Sequence, residues 1–176
     1  MPRQWPLRAG EESELLRVAG ALADEAGIER VDLVDELCLN WSGLRKLSRH
    51  PLVAIGAHTL THPMLAKHPD DVARREIVES KAIIEREIGA QVKHLAYPVG
   101  DPGSAGTREF VLARQAGFES AVTTRPGMIF PEHAGHLTAL PRLSVNGNHQ
   151  SLATLDILLS GAPFMLWNRG RKLSVA

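Results

Sequence analysis

From residue 51 onward, strand-length runs alternate with longer amphipathic stretches, and this alternation restricts the fold more than any other feature of the chain. Leu52–Ala57, Val92–Tyr97 and Glu119–Thr123 read as strands. Between the first two lies a helical pattern with Pro69 at its first turn, Asp70 and Asp71 at its positive end, and Gly89 as its stop. Ala73, Ile77, Ile84 and Ile88 fall on one face of it. Thr107–Ala116, closed by Gly117, separates the second strand from the third. A β-α-β-α-β order implies a parallel sheet with crossover helices, so the fold class is α/β. Leu140–Val145 reads as a further strand and Leu152–Leu159 as a helix, while the pattern after Pro163 is ambiguous.

The first 50 residues lack a strand pattern. Ser13–Ala26 places Leu15, Leu16, Ala19, Leu22, Ala23 and Ala26 at helical spacing, with Gly27 following. Val31–Leu39 reads as a second short helix, and Asn40 caps a third that carries Leu44 and Leu47 on one face. The expected organisation is an insertion-like helical segment over 1–50 that packs on the rest, an α/β region over 51–150, and a C-terminal helix and tail over 151–176.

The 176 residues are enough for one domain with a core, and 20 basic residues balance 20 acidic ones. No dense basic block is present, which argues against nucleic acid as a partner; Arg74-Arg75 and Arg169-Gly170-Arg171-Lys172 read as solvated surface. The single cysteine, Cys38, rules out an intrachain disulfide and reads as a buried structural thiol. Met1–Pro6 carries no apolar leader core, and no apolar run is long enough to span a membrane. The chain therefore reads as soluble and cytoplasmic.

In parallel α/β folds, ligands meet the loops at the C-terminal ends of the strands. Three loops qualify: His58–Pro63, Pro98–Asp101 and Thr124–Gly127. The first holds His58 and His62, four residues apart and outside the helical His-Glu-x-x-His pattern. On sequence alone, two loop histidines bonded to backbone remain as good a reading as half a metal site. The Thr59 and Thr61 hydroxyls are placed to orient the rings. The small-residue loop Gly100–Gly106 lacks the Lys-Ser/Thr ending of a phosphate-binding P-loop, so a close approach for substrate is the better reading. His133 and His136 are candidate general acids, with exposed loop histidines as the plain alternative. Arg125 is a candidate anion or acid buttress, and Arg142 reads as structural.

His58-Thr59-Leu60-Thr61-His62-Pro63 resembles the His-[Ser/Thr]-x-x-His-Pro motif of polysaccharide deacetylases with NodB homology. Ala96-Tyr97-Pro98-Val99-Gly100 resembles a variant of that family's next motif, Arg-x-Pro-aromatic-Gly. Arg74–Ile77 and Ala116–Thr124 resemble the intervening helix and the following strand, so the likeness covers about residues 41–147. It implies a distorted (β/α) barrel that hydrolyses acetyl groups on N-acetylated glycans. The chemistry it implies is a divalent metal, zinc or alternatively cobalt or nickel, that activates water for an aspartate base. On this likeness His58 and His62 are metal ligands, and Tyr97, Val99 and Gly100 form the oxyanion and substrate loop, with the Val99 N–H facing the oxyanion. The expected partner is an N-acetylated glycan.

The chain departs from the family at its beginning. The Thr-Phe-Asp-Asp strand that supplies the base and the third ligand is missing; the only adjacent aspartates, Asp70-Asp71, follow the histidines. Ala96 replaces the motif arginine, and no Leu-x-Leu-His motif occurs in the tail. The expectation is therefore the C-terminal part of a deacetylase, a partial barrel with open parallel edges that would allow self-association. A non-catalytic glycan-binding remnant and a sugar-phosphate enzyme built on the Gly100–Gly106 loop are the alternatives.

Overall fold

The computed structural model describes residues 10–147 and 150–175, so the leader reading of Met1–Pro6 lies outside the described residues. The chain divides into two compact units between Val53 and Ala54.

The first unit is helical. Its helices are α1 (Glu12–Glu25), α2 (Arg30–Leu37) and α3 (Trp41–Ser48). The Asn40 side chain accepts from the Gly43 N–H at 2.9 Å and caps α3 as its position suggests. No residue of α1 or α3 is buried, and Leu16, Leu22, Val31 and Leu37 are exposed. Cys38 is exposed too, which corrects the expectation of a buried thiol: the unit has no interior to hold it.

The second unit is mixed α/β. The long helix α4 (Asp70–Ile88) is followed by β1 (His94–Ala96), α5 (Thr107–Gln115), β2 (Ser120–Pro126), β3 (Leu140–Arg142), α6 (Leu152–Leu159) and α7 (Ala162–Trp167). The strands form one open parallel sheet in the order β1-β2-β3. Pro69 precedes α4 as its cap instead of lying in its first turn, and Gly89 closes the helix with φ at 69°. Ala73 and Ile77 of α4 are fully buried, with Ile84 and Ile88 packed against the same core. Leu95 and Tyr97 from the sheet and Phe110 and Leu112 from α5 complete the centre.

Strand boundaries differ from expectation: the strand expected over Val92–Tyr97 is His94–Ala96, and the one expected over Leu140–Val145 ends at Arg142. Leu52–Ala57 forms no full strand: Ala57 alone bridges to Leu95, with Ala57 N–H on the His94 carbonyl at 2.8 Å and Ala96 N–H on the Ala57 carbonyl at 2.9 Å. The short β1 gives it a ladder on one side only, and Leu52 is 89% exposed. Gly56 permits the approach, since a Cβ there would stand 3.1 Å from the His94 carbonyl oxygen. In turn, Thr124–Pro126 belongs to β2 and not to a loop, because Pro126 lies opposite Arg142 of β3. Pro126 is the last residue of the strand, where a missing N–H is tolerated.

The sheet is open, as expected. α6 and α7 leave Leu152, Ile157, Leu159, Met165, Leu166 and Trp167 exposed. Among the described residues no helix is long and apolar enough to cross a membrane.

Candidate functional site

The C-terminal ends of the Ala57 bridge, β1 and β2 present their loops side by side. Thr124 N–H donates to the Gly100 carbonyl at 3.0 Å, and the Thr124 hydroxyl to the Val99 carbonyl at 2.6 Å. His58 Nδ1 lies 2.6 Å from the Ala96 carbonyl oxygen. A carbonyl only accepts, so Nδ1 carries the proton and Nε2 keeps its lone pair. The His62 ring meets the His58 ring edge-to-face, centroids 4.7 Å apart. Both rings are exposed. The structure thus sets His58 against His62 and on the Ala96 carbonyl, three residues before Val99, while Val99 and Gly100 bond to Thr124 and Tyr97 is buried.

Backbone strain is concentrated here. Among the described residues four non-glycine residues have positive φ, and three of them are Thr59 at 65°, His62 at 61° and Val99 at 60°. Threonine and valine avoid this region because the branched Cβ crowds the backbone, so such outliers point to a functional constraint. Across Val99, the Gly100 N–H turns back to the Pro98 carbonyl at 2.6 Å. This tight turn leaves the Val99 N–H with no acceptor among the described residues.

The threonine hydroxyls do not orient the rings, as the spacing suggested. Thr59 Oγ1 donates to its neighbour's carbonyl at 2.6 Å and accepts the His62 N–H at 3.2 Å. Thr61 Oγ1 donates to Glu76 Oε1 at 2.9 Å. Ring orientation at His58 comes instead from the Ala96 carbonyl. Glu76 has no signal in the sequence beyond its place on the buried side of α4. Its carboxylate is 2% exposed and also accepts the N–H groups of Leu60 and Thr61 at 2.8 and 3.0 Å.

Tyr97 anchors the second loop from below. Its hydroxyl donates to the Thr138 carbonyl at 2.7 Å, and its ring tilts against Phe110 at 5.4 Å between centroids. Burial, helped by the negative charge of Glu109, pushes the phenol far above its ordinary pKa. Arg125 is tied up by main-chain carbonyls, one of them in the Gly100–Gly106 loop. Its Nη atoms donate to the Val175 and Ala105 carbonyls at 3.0 and 2.5 Å, its guanidinium lies over Phe110, and its Nε is buried without a partner. Burial lowers its pKa while the Asp101 charge opposes that shift. Arg142 is exposed at the end of β3.

His133 and His136 are not brought to the loop cluster. His133 is buried, accepts the Phe130 N–H on Nδ1 at 3.0 Å and donates from Nε2 to the Leu173 carbonyl at 3.0 Å. His136 lines a cleft of about 470 Å³ with Phe118 and Glu119, which lead into β2 at the opposite end of the strands from Val99. Its Nε2 is buried and unpartnered.

Two imidazoles with free lone pairs are suitable donors for zinc, cobalt or nickel. Among the described residues, no group of three His, Cys, Asp or Glu side chains is close enough to hold an ion. His58 and His62 are thus a pair of potential donors without a third among the described residues.

Comparison with known proteins bears on the family and the fold. Residues 18–121 match a family model described as polysaccharide deacetylase. No curated protein matches the chain. Among solved structures, the chain is similar to the deacetylase PplD of Streptococcus pyogenes in complex with acetate, at 21% identity and TM-score 0.60, over 70% of this chain and 51% of that one. A polysaccharide deacetylase from Bacillus cereus matches at 20% identity and TM-score 0.60, over 69% of this chain and 37% of the other. A de-N-acetylase from Aggregatibacter actinomycetemcomitans matches at 15% identity and TM-score 0.56, over 69% and 53%. At these identities the likeness is one of fold, and the chain spans about a third to a half of each protein's length.

Proposed function

Because the chain belongs to the polysaccharide deacetylase family, we propose that it contributes to the hydrolysis of acetyl groups from an N-acetylated glycan. The observation that carries this is the pair His58 and His62, held edge-to-face beside the strained Val99 turn. His58 Nε2 and the His62 ring would hold a divalent ion, with zinc the best match to two imidazoles. When bound, such an ion supplies an activated water and polarises the acetyl carbonyl.

The chain's own residues do the rest of the positioning. The Ala96 carbonyl fixes the His58 tautomer. The unshared Val99 N–H points a backbone donor at developing negative charge on the carbonyl oxygen. Gly100 lets this turn stand directly against β2, where a Cβ would meet the Thr124 nitrogen at 2.7 Å. A centre of this kind would also need a third ligand and a base, and the described residues bring no third His, Cys, Asp or Glu to the pair. His133, with both ring nitrogens engaged, and His136, in the cleft with Phe118 and Glu119, stand away from these loops and supply no acid there.

The two-donor centre also favours a second reading, a glycan-binding fold without chemistry. Zinc titration of the chain, followed by histidine ring resonances, separates the two. We expect His58 and His62 to shift together and His58→Ala to abolish the response. Zinc binding unchanged by His58→Ala would overturn the assignment, and glycan binding indifferent to a chelator would favour the second reading. The open sheet edge and the exposed faces of α6 and α7 are further proposed to support self-association, which sedimentation measures.

A further inference from the structure

We propose that Glu76 is the positioning residue that sets the geometry of the two histidines. Its consequence for metal binding rests on the deacetylase reading, whereas its effect on the rings rests on geometry alone.

Glu76 sits in the middle of α4 and points its carboxylate into the His58–His62 loop. Oε2 accepts the N–H groups of Leu60 and Thr61 at 2.8 and 3.0 Å, and Oε1 accepts the Thr61 hydroxyl at 2.9 Å. These donors lie between the two histidines in sequence, and all three converge on one carboxylate that is 2% exposed. Bonds to an ionised acceptor are stronger than neutral ones, and a buried carboxylate needs them.

The loop needs such a clamp because Thr59 and His62, the residues on either side of Leu60 and Thr61, both have positive φ. Such a conformation persists only where the surroundings over-determine it. Thr59 Oγ1 closes the loop on itself through the His62 N–H. Glu76 ties the closed loop to a helix whose neighbouring residues, Ala73 and Ile77, are fixed in the core. The rings need not touch Glu76 for it to determine where they stand.

Glutamine could keep all three contacts, since its oxygen can accept the two N–H groups while its amide donates to the Thr61 hydroxyl, which turns to accept. Leucine is close in size to the glutamate and offers no acceptor, so all three donors lose their partner. The test uses the whole chain and Glu76→Leu. In the metal-free protein, a nuclear Overhauser contact between the His58 and His62 rings is expected in wild type and absent in the variant. The amide resonances of the Ala73–Ile77 core are expected to stay in place.

Cobalt(II) titration, read from paramagnetic effects on the same rings, is expected to show about tenfold weaker binding in the variant, the low end for a supporting partner one step removed from the ligands. A folded Glu76→Leu protein that keeps both the ring contact and the cobalt affinity overturns the proposal. Should that variant not fold, Thr61→Val removes one donor and leaves α4 intact. A weakened ring contact there supports the assignment, and an unchanged one overturns it. If wild type shows the ring contact but its histidines do not respond to cobalt, the metal reading falls while the ring contact still judges Glu76.

Discussion

Replacing Gly100 by alanine isolates the effect of the close approach between the Val99 turn and β2. Gly89 and Gly100 share the same backbone conformation, with φ at 69° and 70°. A Cβ on Gly89 meets nothing within 4 Å, so Gly89→Ala carries only the left-handed penalty, about 1 kcal/mol. A Cβ on Gly100 would stand 2.7 Å from the Thr124 nitrogen and 3.2 Å from the Thr123 carbonyl carbon, both backbone atoms. The turn must then move away from β2, which stretches the Thr124 N–H bond to Gly100 and the Thr124 hydroxyl bond to Val99. At about 1 kcal/mol for each neutral bond, Gly100→Ala should destabilise by about 3 kcal/mol, some 2 more than Gly89→Ala. Both positions lie in the second unit, so one readout serves. The Tyr97 amide, bonded to the Val122 carbonyl at 3.1 Å, reports opening of the β1–β2 pairing by hydrogen exchange across a urea series. Equal losses for the two variants, within about 0.5 kcal/mol, would refute the steric argument.

Other measurements bear on neighbouring groups. Tyr97 is the only tyrosine, so absorbance at the phenolate band reports it alone. Its folded pKa is raised by burial, so its stabilising contribution is complete below the ordinary value near 10 and is lost as pH climbs above it. Ionisation is expected to coincide with unfolding in an alkaline titration; a phenolate signal near pH 10 in folded protein would contradict the burial. Glu109→Ala is expected to cost about 1–2 kcal/mol in urea unfolding. It removes the Oε2 acceptor of the Gly106 N–H at the start of α5 and the partner of Arg108. A loss below about 0.5 kcal/mol would show that Arg108 and water replace it.

The parts of the fold that were legible in the sequence are those set by neighbours along the chain. Asn40 caps α3 through a residue three positions on, and Gly89 ends α4 by its own conformation. The β-α-β rhythm gives the parallel sheet because strand and helix patterns need no knowledge of partners. The failures are all non-local. Leu52–Ala57 has an apolar pattern, but a strand also needs ladder partners, and only β1 is there to bridge it. Thr124–Pro126 looks like a loop until β3, some 16 residues away, pairs with it. Glu76 is one of 20 acidic residues, and nothing nearby in sequence says that its partners lie 15 and 16 residues earlier. For the site itself, spacing found the histidines, while the group that fixes the His58 tautomer is a main-chain carbonyl that no side-chain pattern encodes.

That last contact has an evolutionary consequence. Every residue at position 96 offers the same carbonyl oxygen, so drift there cannot remove the acceptor that orients His58. Alanine can stand where the related motif carries arginine without disturbing the first imidazole. Mutational change at this position is felt by whatever the lost side chain would have touched, and inheritance of the histidine geometry is decoupled from it.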